Sequence, residues 1–305
     1  MPDPIATELI DALHAGADVP PGCRVNHARG LLAEGKFRAV PQASRTCAAS
    51  LFDGADQALL VRFSDSGPDP RMPQDSPAAE PRGLAVRIGR DEQLVLVGHS
   101  LEGFPARDPQ TFLAFVQALN AEQAAAGPLQ AHLAANAAAQ RFGQLRQDAQ
   151  LAGYASRHYY MLHPYRLTDA EGRTRIGRLT ISGGNEDGAG KALAGPDCLD
   201  QALRDALSAG PVTLDLVFTP VPQQGATDDL SAAWPDSGAP TLLGQLILER
   251  LSQDQDAQRS LVFDPSVLPT GLEFAGDPML AARLQAYRLA AARRLGCPAS
   301  SPDAS

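Results

Sequence analysis

Seven short extended runs, three ahead of a long helix-forming block and four behind it, constrain the fold of this 305-residue chain more than any other feature. QALLVRFS, RGLAVRIG and EQLVLVG come first; HYYMLHPYRLTD, RIGRLTISG, PVTLDLVFTP and TLLGQLILER follow. Each is rich in Val, Ile, Leu or aromatic residues and is short enough to be a strand. Asp169-Ala-Glu-Gly172 reads as a turn between the first two runs of the second group. The segment SGPDPRMPQDSPAAEP must be a loop, because its prolines remove backbone donors and fix the chain in non-ladder geometry. So many strands in series protect their edges best by closing on themselves, so the expectation is an α+β protein built on a closed antiparallel β-barrel.

Helices are expected at both ends and in the middle. Ile5, Leu9 and Leu13 repeat at helical spacing after Asp3-Pro4, until HAGADVPPG breaks the pattern. Asp108-Pro109 offers an N-cap and a first-turn proline, followed by Phe112, Phe115, Val116 and Leu119 on one face. That helix is expected to reach about Gly127, with a second, Ala/Gln-rich helix to about Leu151, making a helical insertion over roughly 108–151. A last helix spans about Pro278 to Leu295, stopped by Gly296 and Pro298. We read one domain over 1–298 and a disordered tail over 299–305.

Composition excludes several function classes. A formal net charge of -9 gives nucleic acid and anionic membranes nothing to bind. The N-terminus lacks a basic region followed by an apolar one, and no apolar run is long enough to cross a bilayer. Cys23, Cys47, Cys198 and Cys297 stand far apart with no CxxC pair, which favours reduced thiols in a cytoplasmic protein over a structural zinc site. No Gly-rich phosphate loop sits at a strand-to-helix junction, which argues against a dinucleotide enzyme.

Candidate chemistry begins on the last helix. At about 100° per residue, Arg283, Tyr287 and Arg294 fall within roughly 40° of one another. An arginine one turn before a tyrosine can favour the ionised phenol, and a phenolate is a hard anionic ligand suited to ferric iron. Ala290, Ala291 and Ala292 leave room for something flat. An ordinary amphipathic helix with solvated arginines meets the same pattern. In LLVRFS, alternation puts Leu60, Arg62 and Ser64 on one face and Val61 and Phe63 on the other. An arginine on an inward face needs an anion or a cleft, and Arg24, Arg62 and Arg294 together can hold a pair of carboxylates. Ser64 can orient an imidazole, and His27 in RVNHARG offers one. These residues read singly are equally an ordinary surface set.

Six blocks narrow the choice: RVNHARGLLAEGKF, LVRFSDSG, RGLAVRI, LVGHSLEGFPARDPQTF, FDPSVLPTGLEF and DPMLAARLQAYRLAAARRLG. In this order they resemble the blocks of haem catalases, and the compact length is most similar to the catalase-related peroxidases. The resemblance covers about residues 4–297. It implies a barrel of about eight strands with helices packed on it, holding haem b in a buried pocket. His27 then matches the distal catalytic histidine, and Ser64 the serine that orients it. Tyr287 matches the iron ligand, and tyrosine ligation of catalase iron is a known property of that family rather than an outcome of helix geometry. Arg283 matches the arginine that keeps the tyrosine anionic; Arg24, Arg62 and Arg294 match those at the haem propionates, and Phe112 a distal phenylalanine. The implied activity is reduction of hydrogen peroxide or an organic hydroperoxide, with a small organic electron donor, in a response to oxidative stress. Two other readings are isomerisation or cleavage of fatty-acid hydroperoxides, and a non-catalytic haem carrier or sensor. A homodimer remains open, since the arms that interlock large catalases into tetramers have no counterpart here.

Two positions depart from the large catalases. His99 stands where they carry an asparagine that assists the distal histidine, and it shares a strand face with Val95 and Val97. A basic group there would misalign a second peroxide, so weak catalase activity is expected; a hydrogen-bonded barrel residue is the plainer alternative. Pro105 replaces a second phenylalanine and would widen the channel toward bulkier hydroperoxides. Of the other histidines, His14 is expected on the exposed side of the first helix, with His132, His158 and His163 structural. Trp234, Met161 and Met279 read as packing.

Overall fold

The computed structural model describes residues 4–183, 193–221, 229–234 and 238–296; Cys297 and the tail 299–305 lie outside the described residues. Eight antiparallel strands close on themselves. They are β1 (Gly30–Ala39), β2 (Gln57–Ser64), β3 (Gly83–Ile88), β4 (Leu94–His99), β5 (His158–Thr168), β6 (Thr174–Gly183), β7 (Val212–Pro220) and β8 (Thr241–Leu251). They run β4-β3-β2-β1-β8-β7-β6-β5, and the His99↔Tyr160 pairing of β4 with β5 completes the ring. A short ninth strand, β9 (Leu272–Phe274), adds to β5.

Period-two alternation decides which side of the barrel each residue takes. Val61, Phe63, Leu84, Val86, Leu94 and Leu96 point inward and join Phe37, Tyr159, Leu179, Leu214 and Leu246 in a filled apolar core. The opposite set, including Leu60, Ala85, Val95 and Val97, faces outward. Six helices occur among the described residues: α1 (Pro4–Ala15), α2 (Pro109–Glu122), α4 (Ala137–Asp148) and α6 (Leu280–Leu295) lie over that outer face, α3 (Pro128–Ala135) joins α2 to α4, and α5 (Cys198–Ala209) packs Cys198, Leu199 and Leu203 on the inner core. The arginine-bearing face of LLVRFS is therefore outside the barrel and beneath the helices, not inside it.

Three elements escape the sequence pattern. Strand β1 carries Glu34, Lys36 and Arg38, and a register shift between Glu34 and Gly35 breaks its alternation. Strand β9 has only three residues, and α5 buries only Cys198, Leu199 and Leu203. The middle block forms three helices rather than two. Asn136 takes extended backbone angles between α3 and α4, and its amide donates to the carbonyl of His132 at 2.9 Å, ending α3 there. At the far end Gly296, with φ at +70°, supplies the left-handed turn that stops α6.

A cavity between the barrel and helices α1, α2 and α6

The outer faces of β2, β3 and β4 stack residues in register. Ser64 pairs with Gly83 and Gly83 with His99; one level along, Arg62 pairs with Ala85 and Ala85 with Val97. Cross-strand partners point the same way, so Ser64 and His99 flank a position that has no side chain. The imidazole of His27 occupies that space, with Nδ1 3.1 Å from the Ser64 hydroxyl. A Cβ on Gly83 would stand 2.5 Å from Ser64 Oγ and 2.7 Å from His27 Nδ1. Gly83→Ala is therefore expected to push the imidazole out of place, slowing any reaction that uses it by at least tenfold while costing about 1–3 kcal/mol of stability through overpacking. Steady-state kinetics beside a denaturation curve would check both halves.

The local sequence of RVNHARG explains how His27 reaches this spot. His27 has φ at +55°, a conformation costly for most residues and common at functional sites. The side-chain carbonyl of Asn26 holds the turn by accepting from the backbone N–H of His27 at 2.9 Å and of Gly67 at 2.7 Å. Arg29 anchors the next step to Asp197 at 2.6 Å and Asp200 at 3.0 Å. Burial, then the charges of Arg62, Arg24 and Arg82, lower the His27 pKa to about 3, so its ring is neutral at pH 7.

His99 is neutral as well, its pKa lowered to about 3 by burial and then by His27 and Arg283. The expectation of a basic group at this position gives way for that reason. Its Nδ1 accepts the backbone N–H of Leu101 at 3.3 Å, which assigns the ring proton to Nε2. The ring lies edge-on to Phe142, centroids 6.2 Å apart.

The opposite wall belongs to α6. Arg283 donates to the carbonyl of Val97 at 2.9 Å and lies over the Tyr287 ring, 5.3 Å from its centroid. Burial works against the Arg283 charge, but a hydrogen bond and the charge of Tyr287, with Tyr165 and Asp277 behind, outweigh it and hold its pKa above the ordinary value. Behind this pair, His163 meets Asp277 at 2.6 Å, both buried. Burial and Arg283 lower the His163 pKa to about 4, so the ring is neutral and its Nδ1–H donates to the carboxylate. The HYYMLHPYRL strand gave no signal for this contact, which joins residues 114 apart in sequence. His14 also lines the cavity, with Leu9, Ile10 and Leu13, so the first helix presents it inward rather than to solvent.

Arg24, Arg62 and Arg294 converge at one end. Arg24 donates to the carbonyls of Gln258 at 2.7 Å and Leu261 at 2.9 Å, and Arg294 to Leu261 at 2.8 Å. Arg62 reaches Gln258 Oε1 at 3.1 Å and the carbonyl of His27 at 2.9 Å. None of the three has a carboxylate partner among the described residues, and Nε of Arg294 is buried with no partner at all. Burial and mutual repulsion lower Arg24 to about 8 and, chiefly through burial, Arg62 to about 10. Three clustered cations without an anion are the setting a dianionic group would neutralise.

All nine candidates (Arg24, His27, Arg62, Ser64, His99, Phe112, Arg283, Tyr287 and Arg294) line this one cavity of about 460 Å³. Pro105, Phe104, Phe115 and Met279 line it too, as do Ala286, Ala290 and Ala291 of α6, whereas Ala292 does not. His132 stays in the helical layer against Phe115, and Trp234 lies under the Arg178 guanidinium at 4.1 Å, a packing role. A flat, apolar molecule with two acidic arms matches the walls: small residues on α6, aromatic residues on α2, and arginines at one end. No group of three or more metal-ligating His, Cys, Asp or Glu occurs among the described residues.

Comparison with known proteins bears on the family and the fold. The catalase family's sequence model matches residues 14–187, more than half of the chain. A catalase-related peroxidase of Mycolicibacterium paratuberculosis is 27% identical over 95% of this chain and 94% of its own length. One from Synechococcus elongatus is 26% identical over 94% and 88%. The catalase of Cavia porcellus is 27% identical over 90% of this chain, which spans 56% of it. Catalase A from Saccharomyces cerevisiae shares the fold with a TM-score of 0.77 at 24% identity; the alignment covers 94% of this chain and 64% of the yeast chain. The chain belongs to the catalase family.

Proposed function

We propose that this chain is a haem b peroxidase that reduces hydrogen peroxide or an organic hydroperoxide at the expense of a small organic donor, with weak catalase activity. The observation that carries the reading is a single cavity with an imidazole–hydroxyl pair on one wall and a phenol–guanidinium pair on the other. Arg24, Arg62 and Arg294 would hold the two propionates, the alanines of α6 and Phe112 the macrocycle, and Tyr287 the iron. Bound haem supplies the electron chemistry at peroxide that no side chain here can provide.

The residues of the chain then do the following. His27 donates Nδ1–H toward Ser64 and the backbone carbonyl of Asp65, which leaves Nε2 as a free base. Nε2 takes the proton from one peroxide oxygen and returns it to the other, so that water leaves from hydrogen peroxide and the alcohol from an organic hydroperoxide. His99 Nε2–H offers the second donor, replacing an amide by a bulkier neutral ring. Arg283, lying over the Tyr287 ring, would favour an anionic ligand on the iron, and the Asp277 carboxylate supports the guanidinium charge. The free thiols Cys23, Cys47 and Cys198 suit a reducing, cytoplasmic setting, and no helix among the described residues is long and apolar enough to cross a membrane.

The test is to reconstitute the protein with haem and add hydrogen peroxide with and without a phenolic donor. Donor oxidation with little dioxygen supports the reading; dioxygen as the main product without a donor overturns the peroxidase part of it. His99→Asn, which restores the smaller donor, is expected to raise dioxygen release severalfold relative to donor oxidation in the same assay. An unchanged ratio would remove His99 from the explanation.

A further inference from the structure

Beyond Glu80 the cavity wall carries one more cation. Arg146, in the last turn of α4, lines the cavity, and its Nε is buried without a hydrogen-bond partner. Among the described residues it makes neither a hydrogen bond nor an ion pair. Its nearest opposite charge, Glu80, is already taken: Oε1 binds Arg82 Nε at 3.1 Å and Arg157 Nη2 at 2.9 Å, and Oε2 accepts from Ser100 at 3.3 Å. A cation at a helix C-terminus is favourable, but a solvated side chain would serve that purpose equally. The residue is half-buried with Nε unpartnered, and leaving that donor unpaired costs free energy that an anion in the cavity would recover.

The place of Arg146 sets what that anion can be. It sits one helical turn, about 6 Å of rise, after Phe142, whose ring is 6.2 Å from His99. The propionate arginines lie elsewhere. Along β2, Arg62 precedes Ser64, whereas the Glu80 side is tied to the far end by Ser66 N–H donating to the carbonyl of Ala79 at 2.9 Å. Arg62, Ala85 and Val97 lie to one side of the Ser64–Gly83–His99 level, and Ser100, bonded to Glu80, lies to the other, so Arg146 near Glu80 is on the side of the imidazoles opposite Arg62, with Phe142 between it and His99.

We propose that Arg146 anchors the carboxylate of an organic hydroperoxide whose apolar tail lies along Phe142 and whose peroxide end reaches His27 and His99. This assignment rests on the haem-peroxidase reading and names the substrate class for that site. The overall reaction balances as ROOH plus two phenolic donors giving ROH, water and two donor radicals. The O–O bond breaks, the peroxide gains two electrons, and each donor loses one electron and one proton.

The experiment uses the haem-loaded protein, the Arg146→Gln and Arg146→Lys variants, and three oxidants: linoleic acid hydroperoxide, its methyl ester and hydrogen peroxide. The wild type is expected to show a KM for the acid at least tenfold below that for the ester. Arg146→Gln should raise the acid's KM to the ester's value, leave kcat and the hydrogen peroxide rate unchanged, and abolish calorimetric binding of decanoate. Arg146→Lys should keep part of the preference. Equal effects on acid and ester, or decanoate binding unaltered in Arg146→Gln, would overturn the assignment. Failure of every variant to reduce hydrogen peroxide would instead refute the peroxidase reading, and decanoate binding would still decide the role of Arg146.

Discussion

Tyr287→Phe is expected to weaken haem binding by more than 100-fold while leaving the apoprotein folded. Losing an outer partner of a metal ligand commonly costs about 10–100-fold, and this change removes the proposed ligand itself. The ring stays, so the packing of α6 against the barrel is retained, and a phenylalanine suits the apolar part of the wall. Three of the cavity's histidines are poor substitutes. His27 and His99 lie on the opposite wall, and His163 is committed to Asp277. Haem titration followed by absorbance, with far-UV circular dichroism as the control for folding, checks this outcome.

His27→Asn is expected to leave haem binding intact and to slow peroxide consumption about 100- to 10,000-fold, the usual contribution of a positioned acid–base group. Asparagine is the informative replacement because it tolerates the left-handed backbone of this residue, with φ at +55°, whereas a β-branched side chain would be strained there. The wild-type pH profile carries the same information. The pKa of His27 is lowered to about 3, so the base is unprotonated throughout the neutral range. The rate should stay flat from pH 8 to 5 and fall only as the pH approaches 3. The same depression bears on stability. Between its unfolded value near 6.5 and about 3, the unfolded chain binds the proton that the folded one refuses, so lowering the pH through that window destabilises the fold. A rate that fell by half near pH 6.5 would show a solvated imidazole instead.

The sequence made the barrel legible wherever alternation was clean, as in QALLVRFS and RGLAVRIG, because one face of each strand had to be apolar for the core. It failed at β1, where a register shift and three charged residues blurred the pattern, and at the Asn136 break, where one side-chain hydrogen bond outweighed helix propensity. It also placed Arg62 on an inward face, whereas the structure puts it outside the barrel beneath the helices: alternation tells faces apart but does not say which is inside. The candidate site came from a resemblance, and the structure adds what pattern alone lacked. Gly83 looked like an ordinary strand glycine, yet the His27–Ser64 pair depends on its missing side chain. His163 and Asp277 meet across 114 residues, and Arg146 shows its isolation only when its neighbours are known. His99 looked basic as a residue type and is neutral by burial.

The central claim is that one cavity holds haem with Tyr287 on its iron and His27 across from it. The resonance Raman spectrum of the ferric, haem-loaded protein tests this most directly. An iron–phenolate vibration, present in the wild type and absent from Tyr287→Phe, is the expected result. A histidine-ligated iron in the wild type, or a phenolate signal that survives Tyr287→Phe, would contradict it.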